Sequence, residues 1–253
     1  MSDQEQTVTA SAAATAVLPE GDDPPRREVK MVCQESARPA ILSFLHTHAL
    51  GVREVFPPRR VQSIYLDTHD GRSLSDNLGG IGERDKTRFR WYGDRADKVR
   101  GVLERKMRRD DFIWKERFVV AEEVAVEGQN RFAFVQHLRA ACSHEWLARL
   151  SPDMEPSQWV VYDRAYYATG EGKVRITVDH RVRLFDLRDR FILTPKFPTP
   201  VPDLCILECK AEPDHEPMLR AFLNEMPFVR DRCSKFVLGC APNHFTTLTH
   251  FPE

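Results

Sequence analysis

The chain has 253 residues, 42% hydrophobic and 30% charged, with 37 Lys and Arg against 38 Asp and Glu. That length can bury a core without disulfide staples, and a net charge of -1 excludes a uniformly basic surface of the kind that coats nucleic acid. No run approaches the ~20 apolar residues that cross a bilayer. The six cysteines form no C-x-x-C pair, so buried thiols in a reducing cytoplasm are expected, not disulfides or zinc ligands.

Residues 1–25 contain Asp3, Glu5, Glu20, Asp22 and Asp23 but no Lys or Arg. They read as a disordered acidic leader, with residues 26–253 as a single folded domain. From there, alternation of apolar and polar residues predicts strands over 26–33, 60–67, 85–92, 100–107, 112–120, 159–168, 173–179, 182–187 and 203–210. A helix is expected after Ser36, with Ile41, Leu42, Leu45 and Ala49 on one face. A second follows Asn130 as N-cap and carries Phe134, Val135, Leu138 and Cys142. A third begins at Asp214, has Pro217 in its first turn, and buries Leu219, Phe222, Leu223 and Met226. A short helix is expected around Ser234–Leu238.

Successive side chains of a strand point to opposite faces. Arg84, Lys86, Arg88, Arg90 and Tyr92 therefore share one face, against Phe89 and Trp91 on the other. Glu104, Lys106 and Arg108 align in the same way, as do Lys115 and Arg117. So do Tyr162, Arg164 and Tyr166, then Arg175, Thr177 and Asp179, then Glu208 and Lys210, and at the start Glu28 and Lys30. A solvated face of an antiparallel sheet is also polar, but these faces are mostly Arg and Lys. Between Arg84 and Arg117 there are 13 Lys and Arg against 7 Asp and Glu, a local excess of +6 inside a chain that totals -1. If the sheet closes, its apolar face turns out to the helices and its basic face lines a tunnel. Enclosed Arg and Lys are costly unless an anion neutralises them, so the pattern implies a polyanionic ligand.

The ordered set Glu28-Val29-Lys30, Ser63-Ile64-Tyr65-Leu66-Asp67-Thr68, Lys86-Thr87-Arg88-Phe89-Arg90-Trp91-Tyr92, Leu103-Glu104-Arg105-Lys106, Tyr162-Asp163-Arg164, Arg175-Ile176-Thr177-Val178-Asp179, Leu207-Glu208-Cys209-Lys210 and Ser234-Lys235 resembles the VTC domain. This is the polyphosphate-polymerase domain of vacuolar transporter chaperone proteins and their bacterial relatives, within the triphosphate tunnel (CYTH-like) metalloenzymes. The resemblance runs from about Arg26 to Gly239 and implies an α+β fold: an antiparallel eight-stranded β-barrel tunnel with a basic interior, flanked by α-helices. It implies phosphate contacts from Arg88, Arg90, Lys106, Lys115, Arg164 and Arg175, with Lys30, Lys210 and Lys235 as weaker additions. It also implies a divalent metal, Mn or Mg, on Glu208, with Glu28 and Glu104 as helpers. Relatives that hydrolyse triphosphates often begin with Glu-x-Glu-x-Lys, whereas Arg26 occupies the first position here, which suits the polymerase branch.

The resemblance thus implies transfer of the terminal phosphate of ATP onto a growing polyphosphate chain. The alternatives are a metal-dependent inorganic or nucleoside triphosphatase, and a non-catalytic polyphosphate-binding sensor. A nucleic-acid groove fits poorly: Phe89 and Trp91 point away from Arg88 and Arg90, and stacking sites need both on one surface. There is no P-loop, no G-x-S-x-G and no H-E-x-x-H. Nothing spans a membrane, which leaves a membrane-bound partner open.

Overall fold

A computed structural model describes residues 26–109, 112–228 and 233–242. The acidic leader expected over residues 1–25 lies outside the described residues. Eight strands form one antiparallel sheet: β1 (Arg27–Gln34), β2 (Arg53–Thr68), β3 (Glu83–Tyr92), β4 (Lys98–Arg109), β5 (Phe112–Ala125), β6 (Met154–Ala168), β7 (Val174–Asp186) and β8 (Leu204–Ala211). Their order in the sheet is β1-β8-β7-β6-β2-β3-β4-β5. The helices are α1 (Arg38–Thr47), α2 (Arg72–Leu78), α3 (Arg131–Ala141), α4 (His144–Leu147), α5 (Glu216–Asn224) and α6 (Lys235–Cys240).

Backbone pairing leaves β1 and β5 as the two edges, yet the sheet curls until its ends meet through side chains. Lys106 on β4 reaches Glu28 on β1 at 2.9 Å. The result is a curled, barrel-like sheet with the charged face inside, as the strand phase predicts. Helices cover the outer face in two groups. Phe89, Trp91 and Trp159 pack with Phe134, Leu138 and Trp146 of α3 and α4. Met31, Ile176 and Leu207 pack with Ile41 and Leu45 of α1 and with Leu219 and Phe222 of α5. Each fully buried side chain of this size contributes roughly 2–3 kcal/mol.

Two sequence expectations need correction. The strands predicted over 173–179 and 182–187 are one strand, β7; Arg181 takes a left-handed φ of 50° and the β6–β7 register shifts between Val161 and Asp163, so the ladder passes through a bulge. Nor is the inner face charged along its whole length. Val32, Val61, Val160, Leu184 and Ile206 make an apolar stretch of it, against which Phe236, Val237 and Leu238 of α6 pack. The basic lining is confined to the remainder.

Helix α2 escapes sequence reading because its cap is remote: the Asp67 carboxylate accepts from the backbone N–H groups of Ser73 and Leu74. Asn130 caps α3 as expected, accepting from Phe132 and Ala133. All six cysteines are free thiols, five of them buried. No helix among the described residues is long and apolar enough to cross a membrane.

Candidate functional site: a basic cavity inside the curled sheet

A cavity of about 470 Å³ opens on the inner face. Seven of the nine predicted phosphate-contacting cations line it: Lys30, Arg88, Lys106, Lys115, Arg164, Lys210 and Lys235. Glu28, Glu104 and Glu208 line it too. The other two cations lie apart from it. Arg90 is buried, with Nη2 2.7 Å from Glu104 Oε1 and its guanidinium over the Tyr92 ring. Arg175 is exposed, opposite Lys210 in the β7–β8 register.

The lining also includes Arg84, Lys86 and Arg108, for ten cationic side chains against four carboxylates. These three share the strand phase of Arg88 and Lys106, so the signal for them was present in the alternation. Tyr65, Tyr162 and Ser234 are also part of the wall. Asp179, beneath it, is fully buried and grips two lining cations. Arg164 donates to its oxygens at 2.5 and 2.7 Å, and Lys235 lies 2.5 Å away. Nothing local in the sequence distinguishes Asp179 as an anchor, because its partners are 15 and 56 residues away.

The acidic groups divide by their surroundings. Glu104 is 1% exposed and sits among three guanidiniums, with Arg88 and Arg90 both at 2.7 Å and Arg117 at 3.3 Å. Burial alone would push its carboxyl up, but Arg90, Arg88 and Lys115 hold it well below the usual range. Glu28 faces lysines: Lys106 at 2.9 Å, Lys30 at 3.2 Å and Lys210 at 3.8 Å. Burial and the neighbouring Glu208 push Glu28 up, and the three lysines outweigh both to bring it to about 2. Glu208 has Lys210 at 2.9 Å and Arg164 at 3.5 Å. Burial raises its pKa, yet Lys210, Lys30 and Arg164 carry it well below its usual value.

Two lysines are compensated only in part, Lys86 by Glu28 and Lys115 by Glu104. Neither Lys86 nor Lys115 makes an ion pair among the described residues; Lys86 donates to Ser234 Oγ at 2.8 Å. Burial, reinforced by Lys30, Lys106 and Arg84, pushes Lys86 well below the ordinary lysine range. Lys115 is displaced the same way by burial and Lys210. A multiply charged anion in the cavity would relieve both.

No cluster of three or more His, Cys, Asp or Glu side chains suited to a metal occurs among the described residues. Glu28 and Glu208 fit a divalent cation in a different manner. Glu208 is close enough to push the Glu28 carboxyl up, and Mg-type ions commonly take one or two carboxylates and fill the remaining positions with water and phosphate oxygens. Glu104 fits less well, since its oxygens are taken by arginines.

A family model described as the VTC domain matches residues 25–244. No curated protein matches the chain. Among solved structures, a Hippeastrum protein described as an adenylyl cyclase with a dominant triphosphatase activity aligns with a TM-score of 0.50 at 18% identity. The alignment covers 86% of this chain and 96% of that one. A Vibrio parahaemolyticus protein described as an adenylate cyclase aligns with a TM-score of 0.47 at 13% identity, over 83% of this chain and 96% of its own. At 18% identity the likeness to the Hippeastrum protein is one of fold. With the family match extending across the strands, the cavity and α6, the chain belongs to the VTC domain family and has the triphosphate tunnel fold.

Proposed function

We propose that this protein is a polyphosphate polymerase that transfers the terminal phosphate of ATP onto the end of a polyphosphate chain. The observation that carries the reading is the cavity's charge: ten cations against four carboxylates, with Lys86 and Lys115 outside any ion pair among the described residues. A site built for a neutral or singly charged ligand has no use for that excess. A chain of phosphates does, because each added unit brings further negative charge and further acceptor oxygens.

Phosphoryl transfer asks little covalent chemistry of a protein; it asks for alignment of attacking and leaving oxygens and for neutralisation of their charge. Arg88 and Arg164, held by Glu104 and Asp179, present fixed planar donors that suit bidentate phosphate contact. Lys30, Lys106 and Lys210 are mobile point charges that can shift from Glu28 to substrate oxygens. Glu28 and Glu208 would hold a divalent cation, Mn or Mg, which would supply positive charge to offset that of the phosphate oxygens. Arg26 in place of the first acidic residue of the hydrolytic pattern favours a phosphate acceptor over water.

The test is to incubate the full chain with ATP and Mn or Mg and to resolve the products by size. Acid-stable phosphate polymer together with ADP supports the reading. ADP and orthophosphate alone would make the protein a triphosphatase, and no turnover with retained polyphosphate binding would make it a sensor.

A further inference from the structure

The inner face carries a second basic cluster that does not line the cavity. Arg59 on β2 lies opposite Arg164 on β6, so the two share a face on adjacent strands, about 5 Å apart. Arg164 is neutralised by Asp179 and Glu208. Arg59 makes no ion pair among the described residues. Its guanidinium instead lies among three aromatic rings, 5.6 Å from the centroid of Tyr92, 5.9 Å from Phe56 and 6.0 Å from Tyr166. Arg90 also meets the Tyr92 ring, 5.3 Å from its centroid.

The backbone is shaped to produce this arrangement. Near Arg59 the β2–β6 register breaks on both sides of Phe56, between Glu54 and Phe56 and again between Phe56 and Arg59, the second break spanning Pro57-Pro58. Proline cannot donate to a ladder, and bulges re-aim the side chains beside them. Phe56 is left 56% exposed. Like charges directly opposed across two strands are destabilising, and the rings around Arg59 attract its guanidinium without cancelling its charge.

We infer that Arg59 and its aromatic surround form a second phosphate-chain subsite, which holds the stretch of polyphosphate that extends beyond Arg164 and out of the cavity. Its ligand is a chain longer than a triphosphate. The inference rests on the cavity being a phosphate site, and it adds that recognition continues past the cavity along the inner face.

Binding of inorganic tripolyphosphate and of long-chain polyphosphate to the full chain, measured without ATP or metal so that no turnover occurs, tests this. Arg59→Gln should weaken long-chain binding about tenfold, the loss expected for one charge-assisted contact, and leave tripolyphosphate binding unchanged. Arg59→Lys keeps the charge but loses the planar stacking, and should give a smaller loss with the same dependence on length. If Arg59→Gln does not fold, the Arg59→Lys comparison decides. Equal losses for both ligands, or no loss for either, would overturn the inference. Failure of the cavity reading itself is distinguishable, because tripolyphosphate would then not bind the parent protein.

Discussion

Lys106 on β4 donates to both carboxylate oxygens of Glu28 on β1, at 2.9 and 3.1 Å. These strands stand seventh and first in the sheet order, so this contact joins the two ends of the curl. The same carboxylate is shared with Lys30 and Lys210. Three lysines are thus gathered by one acid on a wall where phosphate is proposed to bind.

That arrangement has a pH signature. Glu28 falls from an ordinary 4.5 to about 2 in the folded protein. A depressed acid contributes stability that is fully present above its unfolded pKa and is lost as pH falls through its folded one. The difference in stability between the parent and Glu28→Gln should be on the order of 3 kcal/mol above pH 4.5 and should shrink toward pH 2. Denaturant melts of both proteins across that range measure it, and a gap that stays constant with pH would contradict the assignment.

Glu104 plays a different part. Changing it to Gln removes the negative charge that Arg88, Arg90 and Arg117 share in a buried place, which should cost about 3–5 kcal/mol in a denaturant melt. Glu208→Gln removes a less enclosed group and should cost less stability, while abolishing metal-dependent turnover and sparing tripolyphosphate binding. If Glu104→Gln proves the milder of the two for stability, the division between positioning and metal-holding carboxylates is wrong.

Much of this was legible in the sequence, and the reason is the period of the β-strand. Arg84, Lys86, Arg88 and Arg90 sort from Phe89 and Trp91 by alternation alone, and the structure buries those two aromatics at 0% and 1% exposure under α3. What alternation cannot give is which residue meets which across the barrel. Lys106 and Glu28 are 78 residues apart, and Lys235 and Asp179 are 56 apart. Glu104 reads as a metal helper until its three arginine partners are known. Arg90 shares the phase of Arg88 yet lies away from the cavity, because its position on β3 sets it beside Tyr92. The apolar stretch under α6 is likewise invisible until the curl brings Val32, Val61 and Leu184 together.

Ligand binding should take up protons. Lys86 and Lys115 are displaced well below the usual lysine range by burial and neighbouring cations. An anion raises both again, so protons enter at pH values above the free-site pKa. Calorimetric titration with tripolyphosphate in buffers of different ionisation enthalpy should show net uptake that grows as pH rises from neutral. Changing both lysines to Met should remove it. Release of protons, or no dependence on buffer, would contradict this view of the cavity.

Helix α6 sets the cavity's inner end, carrying Ser234 at its cap and Lys235 in its first turn. Its fit is close at Gly239, where a methyl group would lie 1.3 Å from the side-chain amide of Gln158 and 3.1 Å from Leu184 Cβ. Gly239→Ala should therefore displace the helix at a cost of roughly 1–3 kcal/mol. Because Lys235 moves with it, tripolyphosphate binding should weaken as well. Thermal melts and titration of the same variant check both effects together.

The central claim is that the terminal phosphate of ATP passes to a phosphate chain and not to water. The most direct measurement follows ATP labelled at its terminal phosphate, with a divalent metal and a short polyphosphate primer, in the parent protein and in Glu208→Gln. Label is expected in acid-stable polymer with one ADP formed per phosphate added, and neither product from the variant. Label appearing only in orthophosphate would contradict it.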